Sequence, residues 1–114
     1  MTAVATKAAA SYRARAIQGT WQPQEKILRL VSAEFRVPAS TILTRSTAKD
    51  TTLARNVWWY LCAVTFPEGA AEARRRCKVT KRGLQLALRR IEDLRDDRTF
   101  DERLERLEAA IDAL

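Results

Sequence analysis

The chain has 114 residues, which suits one domain with its own core, and its 46% hydrophobic content excludes wholesale disorder. Lys and Arg number 21 against 14 Asp and Glu, there is no histidine, and Gly and Pro number only three each in an Ala-, Leu-, Arg- and Glu-rich background. The balance excludes a histidine-based catalytic or metal centre and favours an all-α chain with a polyanionic partner.

Met1–Ala16 is Ala-rich and carries Lys7, Arg13 and Arg15 without an acid. Its composition is also that of an organellar transit peptide, but we read residues 1–20 as a basic arm, mobile or helical. Gly19-Thr20-Trp21-Gln22-Pro23 breaks the pattern, and residues 21–114 form the domain proper. Ile27, Leu30, Val31 and Phe35 then recur at helical spacing, which predicts an amphipathic helix over Glu25–Phe35. Val37-Pro38 ends it, and Ser40 is placed to cap a short helix through Leu43.

Thr44–Asp50 is polar and basic and reads as a loop. Asp50 or Thr51 would cap a helix from about Leu53 to Thr65, apolar almost all round and so expected at the centre of the domain. Its Trp58-Trp59-Tyr60 run is expected to pack in the core, with stacking on bases as the minority reading. Cys62, inside this run, behaves as a small hydrophobe.

Thr65-Phe66-Pro67-Glu68 resembles a capping box, opening a short helix over Glu68–Arg76. After a turn at Cys77-Lys78-Val79, Thr80 caps a helix over Lys81–Leu94. Leu84, Ala87, Leu88, Ile91 and Leu94 form its inner face, and Arg82, Gln85 and Arg89 its outer one. Thr99 and Glu102 suggest a second capping box, ahead of a last helix that buries Phe100, Leu104, Leu107, Ile111 and Leu114. Five or six helices result.

The charge is unevenly spread. Residues 1–90 hold 17 basic and 5 acidic side chains, whereas residues 91–114 hold 4 and 9. No phosphate-cradling glycine motif occurs, two cysteines without histidine make no conventional zinc site, and the acids near Asp96 are accounted for by capping and pairing with Arg95 and Arg98. We therefore expect no enzyme activity, no cofactor and no metal. No run of about 18 apolar residues exists, so no membrane span is expected. A cytoplasmic, reduced chain is the simplest reading.

The helices Glu68–Arg76 and Lys81–Leu94, joined by a short turn, make a helix-turn-helix candidate. Lys81, Arg82 and Gln85 lead the second helix and suit base edges, with Arg89 one turn behind. Arg74, Arg75, Arg76 and Lys78 would hold phosphates, and Arg45 and Lys49 on the preceding loop would reach the backbone or the minor groove.

Three stretches resemble one family. Ile27–Val37 followed by Ile42-Leu43, then Ala54-Arg55-Asn56-Val57-Trp58-Trp59-Tyr60-Leu61, and Ala87-Leu88-Arg89-Arg90-Ile91-Glu92 are similar to helices of the C-terminal domain (domain IV) of the bacterial replication initiator DnaA. The resemblance spans about Gln24 to Leu114 and implies a five- or six-helix, helix-turn-helix fold of TrpR-like type. It also implies double-stranded DNA as partner, with Arg55 joining Arg45 and Lys49 in backbone and minor-groove contacts. Where the family carries Gly-Gly-Arg-Asp-His-Thr-Thr-Val, this chain has Cys77-Lys78-Val79-Thr80-Lys81-Arg82-Gly83-Leu84. The family's box-reading groups are therefore missing, and an altered or relaxed sequence preference is expected, in control of replication initiation or of transcription. The alternative is a protein-interaction module that binds the initiator or its regulator without reading DNA.

Overall fold

The computed structural model describes residues 23–65, 74–75 and 79–114. All regular structure among them is helical: α1 (Pro23–Phe35), α2 (Ala39–Ile42), α3 (Lys49–Thr65), α4 (Lys81–Leu94) and α5 (Arg98–Asp112). The arm, most of the helix expected over Glu68–Arg76, and Cys77 lie outside the described residues.

α1 buries Ile27, Leu28 and Val31 and opens on Pro23, whose missing N–H removes a donor that the first turn could not satisfy anyway. It ends at Arg36, which takes a left-handed φ of 56°. The Val37 N–H then donates back to the Ser32 carbonyl at 3.2 Å, and the Ser32 hydroxyl donates to the Val37 carbonyl at 2.6 Å. This reversal is normally made with glycine.

α2 is a single turn, and its start corrects the expected cap. Pro38 precedes the first helical residue with ψ of 140° and no side-chain cap, so Ser40 lies within the helix. The extended backbone that proline favours supplies the entry by itself. α3 likewise begins before its expected caps. Thr44 Oγ1 accepts from the Ser46 N–H, Ser46 Oγ accepts from the Ala48 N–H, and the Thr52 N–H already donates to the Ala48 carbonyl. Asp50 and Thr51 therefore sit in the first turn, where the charge of Asp50 faces the positive end of the helix dipole.

α3 is the axis of the domain, packed against α1, α2 and α4. Val57, Trp58, Leu61 and Cys62 are wholly buried, and Trp59 and Tyr60 nearly so. The aromatic run is thus core, not a stacking surface for bases. The Trp58 indole N–H donates to the Gln24 carbonyl at 2.9 Å, fastening the start of α1 to α3.

α4 is capped as expected, the Thr80 side chain accepting from the Gly83 N–H at 2.9 Å. Ala87 and Ile91 are buried and Leu84 and Leu88 pack against the core, but Leu94 is exposed. α5 is capped by Asp97, whose carboxylate accepts from the Thr99 and Phe100 N–H groups, and not by Thr99. Glu102 pairs with Arg98 at 3.5 Å instead of closing a capping box. Leu104, Leu107 and Ile111 are buried and Phe100 is half-buried, as expected of the α5 face, whereas Leu114 falls beyond the helix and is exposed.

Two arginines fasten α5. Arg95, at the end of α4, donates to Asp101, to both oxygens of Glu108 (3.1 and 3.2 Å) and to the Tyr60 hydroxyl (3.2 Å). Burial acts to lower its pKa, but hydrogen bonds to Glu108, Asp101 and Tyr60 outweigh it and raise the pKa further above the usual arginine value. Arg103 donates from Nε to Glu34 at 3.0 Å and lies over the Phe35 ring, 4.2 Å from its centroid, which ties α5 to α1.

Candidate nucleic-acid interface

The expected readout residues share one exposed face. Positions 82, 85 and 89 follow the three- and four-residue steps that keep side chains on one side of a helix. Arg82, Gln85 and Arg89 are all exposed, and Lys81 stands exposed at the N-terminal end of α4 beside the Thr80 cap. Ala87 and Ile91 hold the opposite side of the helix in the core.

Gly83 decides how α4 begins. A Cβ at this position would lie 2.7 Å from Cγ2 of Val79 and 3.2 Å from Oγ1 of Thr80. The backbone of the first turn thus sits directly on the Val79 and Thr80 side chains. From sequence, a glycine here reads as a weakening of the helix. In three dimensions the missing side chain lets the cap and the Val79 contact coexist.

The helix before the turn is represented by Arg74 and Arg75, both helical. The Val79 N–H donates to the Arg74 carbonyl at 3.2 Å, and Arg74 Nη1 donates to the Val79 carbonyl at 3.4 Å, so this segment is hydrogen-bonded to the entry of α4. Arg75 is exposed. Arg76 and Lys78, expected at phosphates, lie outside the described residues.

Arg45 and Lys49 are exposed, on the α2–α3 loop and at the first residue of α3. Arg55, expected with them on the DNA backbone, is elsewhere engaged. It is 8% exposed, and its guanidinium donates to the carbonyls of Ile42 (2.8 Å), Ser46 (3.0 Å) and Thr44 (2.6 Å). The three carbonyls converge because the chain leaving α2 curls over the first turns of α3, and a planar fork of donors fits that curl. Arg55 therefore shapes the basic loop that presents Arg45, and its guanidinium is committed to these three carbonyls.

Charge commitment separates the two ends of the domain. Arg95, Arg98, Arg103 and Arg106 each pair with a carboxylate. Lys81, Arg82, Arg89 and Arg90 pair with none among the described residues, and neither do Arg45 and Lys49. Arg95 and Arg98 are taken up by acids of the C-terminal segment itself and Arg103 and Arg106 by Glu34 of α1, whereas Lys81, Arg82, Arg89 and Arg90 of α4 are exposed. Among the described residues no group of His, Cys, Asp and Glu is placed to hold a metal ion, and no helix is long and apolar enough to cross a membrane.

No protein-family model, curated protein or solved structure matches the chain.

Proposed function

We propose that this chain is a non-enzymatic DNA-binding module of helix-turn-helix type, similar to the C-terminal domain of DnaA and acting in control of replication initiation or of transcription. The observation that carries the proposal is the exposed face of α4, where Lys81, Arg82 and Arg89 pair with no carboxylate among the described residues and Gln85 lies between them, in contrast to the arginines of α5, each of which is paired. Cations without an intramolecular partner lose no ion pair when they meet a phosphate, and each phosphate they neutralise releases condensed counterions. Arg and Gln also have the bidentate geometry that suits guanine and adenine edges. Arg45 and Lys49 would add backbone or minor-groove contacts from the loop held by Arg55. The polar groups that read the DnaA box in that family have no counterpart at Cys77–Leu84, so the reading predicts altered or relaxed sequence preference.

The test is a salt titration of binding to labelled duplexes, one with DnaA boxes and one scrambled. The expected result is affinity falling steeply with salt; in the Arg82→Ala, Arg89→Ala double variant the log–log slope drops by about 1.8 in magnitude when both side chains meet phosphates, and by less when Arg82 reads a base edge. Preference for the boxes would show base readout by new residues, and equal affinity would show backbone contact alone. No binding to either duplex at low salt would refute both.

One observation favours a second reading. Leu86 is 55% exposed and Leu94 37% exposed, beside Arg89, Arg90 and Asp93 along an open groove of α4. An apolar strip edged by charge also suits a partner protein. Under that reading the chain binds the initiator or its regulator, and Leu86→Ser would weaken a protein complex without changing the salt slope on DNA.

A further inference from the structure

We infer that Leu86 of α4 is a specificity-determining residue that reads the C5-methyl group of a thymine in the major groove. The inference rests on the DNA-binding reading proposed above and names one base that this face of α4 selects.

The exposed surface over the first three turns of α4 is polar except at one position. Lys81, Arg82, Gln85, Arg89 and Arg90 are exposed there, and Leu86 is exposed among them. At 55% Leu86 is more open to solvent than Leu114 (45%) or Leu94 (37%), the other exposed large apolar side chains among the described residues. Side chains four residues apart lie on one side of a helix. Leu86 therefore shares the outward side of Arg82, while Ala87 and Ile91 hold the opposite side in the core.

The surroundings of Leu86 specify what covers it. Lys81, Arg82, Arg89 and Arg90 pair with no carboxylate among the described residues, so the surface that complements them is anionic. That surface must also set an apolar group against Leu86. Duplex DNA offers both, because the thymine methyl is the apolar group among the donors and acceptors of the major groove. Arg82 and Gln85 can tell bases apart by hydrogen bonds, but a methyl group is registered only by an apolar contact. Position along the helix favours Leu86 over Leu94. A recognition helix enters the groove with its N-terminal residues leading, and Leu86 follows close behind Arg82 and Gln85, whereas Leu94 is the last residue of α4. Four helical residues advance about 6 Å and base pairs are stacked about 3.4 Å apart. The thymine is thus expected within about two base pairs of the nucleotide that Arg82 meets.

The experiment first selects preferred sites for the full chain from random-sequence duplexes at low salt. Each thymine of the enriched site is then replaced singly by uracil, which removes the methyl and keeps every hydrogen-bonding group. The expected result is one thymine whose replacement weakens wild-type binding about fourfold, equivalent to the ~0.8 kcal/mol of one buried methylene-sized group. Leu86→Ala cuts the exposed side chain back to Cβ and is expected to bind the thymine and uracil duplexes equally, with helicity by circular dichroism unchanged. Leu94→Ala is expected to keep the full fourfold difference. The inference is overturned if no uracil replacement weakens wild type, or if Leu86→Ala retains the same loss. Salt-sensitive binding to all duplexes without enrichment of any site also overturns it, and leaves the DNA-binding reading standing. No binding to any duplex overturns both, and is the outcome expected if an acidic protein surface covers Leu86.

Discussion

Replacing Arg55 separates a loop-holding role from a DNA-contacting one. Its guanidinium makes three hydrogen bonds to carbonyls, one to the buried Ile42 and two to the loop residues Thr44 and Ser46. A hydrogen bond involving a charged group contributes about 1.5–3 kcal/mol. In Arg55→Met the Ile42 carbonyl would lose its buried partner outright, whereas the loop carbonyls can turn to water and recover part of their loss. We expect a destabilisation of about 3 kcal/mol, a large share of the roughly 5–15 kcal/mol typical of a domain. In thermal unfolding followed by circular dichroism this lowers Tm by about 10 °C or more for a chain of this size. Arg55→Lys is expected to fall between, because a compact ammonium cannot reproduce the planar fork whose three nitrogens each meet one carbonyl. Below its lowered Tm, Arg55→Met should keep most of the DNA affinity and the full contribution of the α4 face to the salt slope. A Tm within about 2 °C of wild type, together with a large loss of DNA binding, would refute the reasoning and return Arg55 to the phosphate backbone.

Arg36→Gly is expected to stabilise the protein by about 0.5–1 kcal/mol, read by urea denaturation, because Arg36 holds a φ of 56° that costs a side-chain-bearing residue. Gly83→Ala, normally favourable in a helix, is expected to destabilise instead by about 1 kcal/mol or more, since its Cβ would meet Val79 at 2.7 Å; a gain in Tm would show that Val79 moves aside freely. Arg95→Met is expected to cost about 2 kcal/mol, less than a fully buried pair, because Asp101 and Glu108 keep side-chain exposures of 34% and 29% and can rehydrate. The raised pKa of Arg95 keeps its guanidinium charged through the alkaline range, so melts between pH 6 and about pH 10 should show no loss from its deprotonation.

Much of the architecture was legible in local pattern. The apolar spacing from Ile27 to Phe35 and from Leu84 to Ile91, the all-round hydrophobicity of Val57–Cys62 and the Thr80 cap needed no knowledge of neighbouring elements, because periodicity and first-turn chemistry act within a few residues. Helix ends were harder to read. Asp97 and Thr99 are both good caps two residues apart, and which one binds the free N–H groups depends on the backbone angle at which the chain enters α5. Side-chain ionic partners were the least legible. Arg55 and Arg82 are the same residue type on helices of one domain, yet one is sealed against three carbonyls and the other faces solvent. Composition and spacing determined that this chain forms basic amphipathic helices around an aromatic centre. Only the tertiary structure decided which cations are spent inside the fold and that Gly83 is a steric requirement. The reason is that charge pairing, close approach and hydrogen-bond satisfaction depend on distances between residues far apart in sequence, and those distances exist only once α3 has gathered the other helices around it.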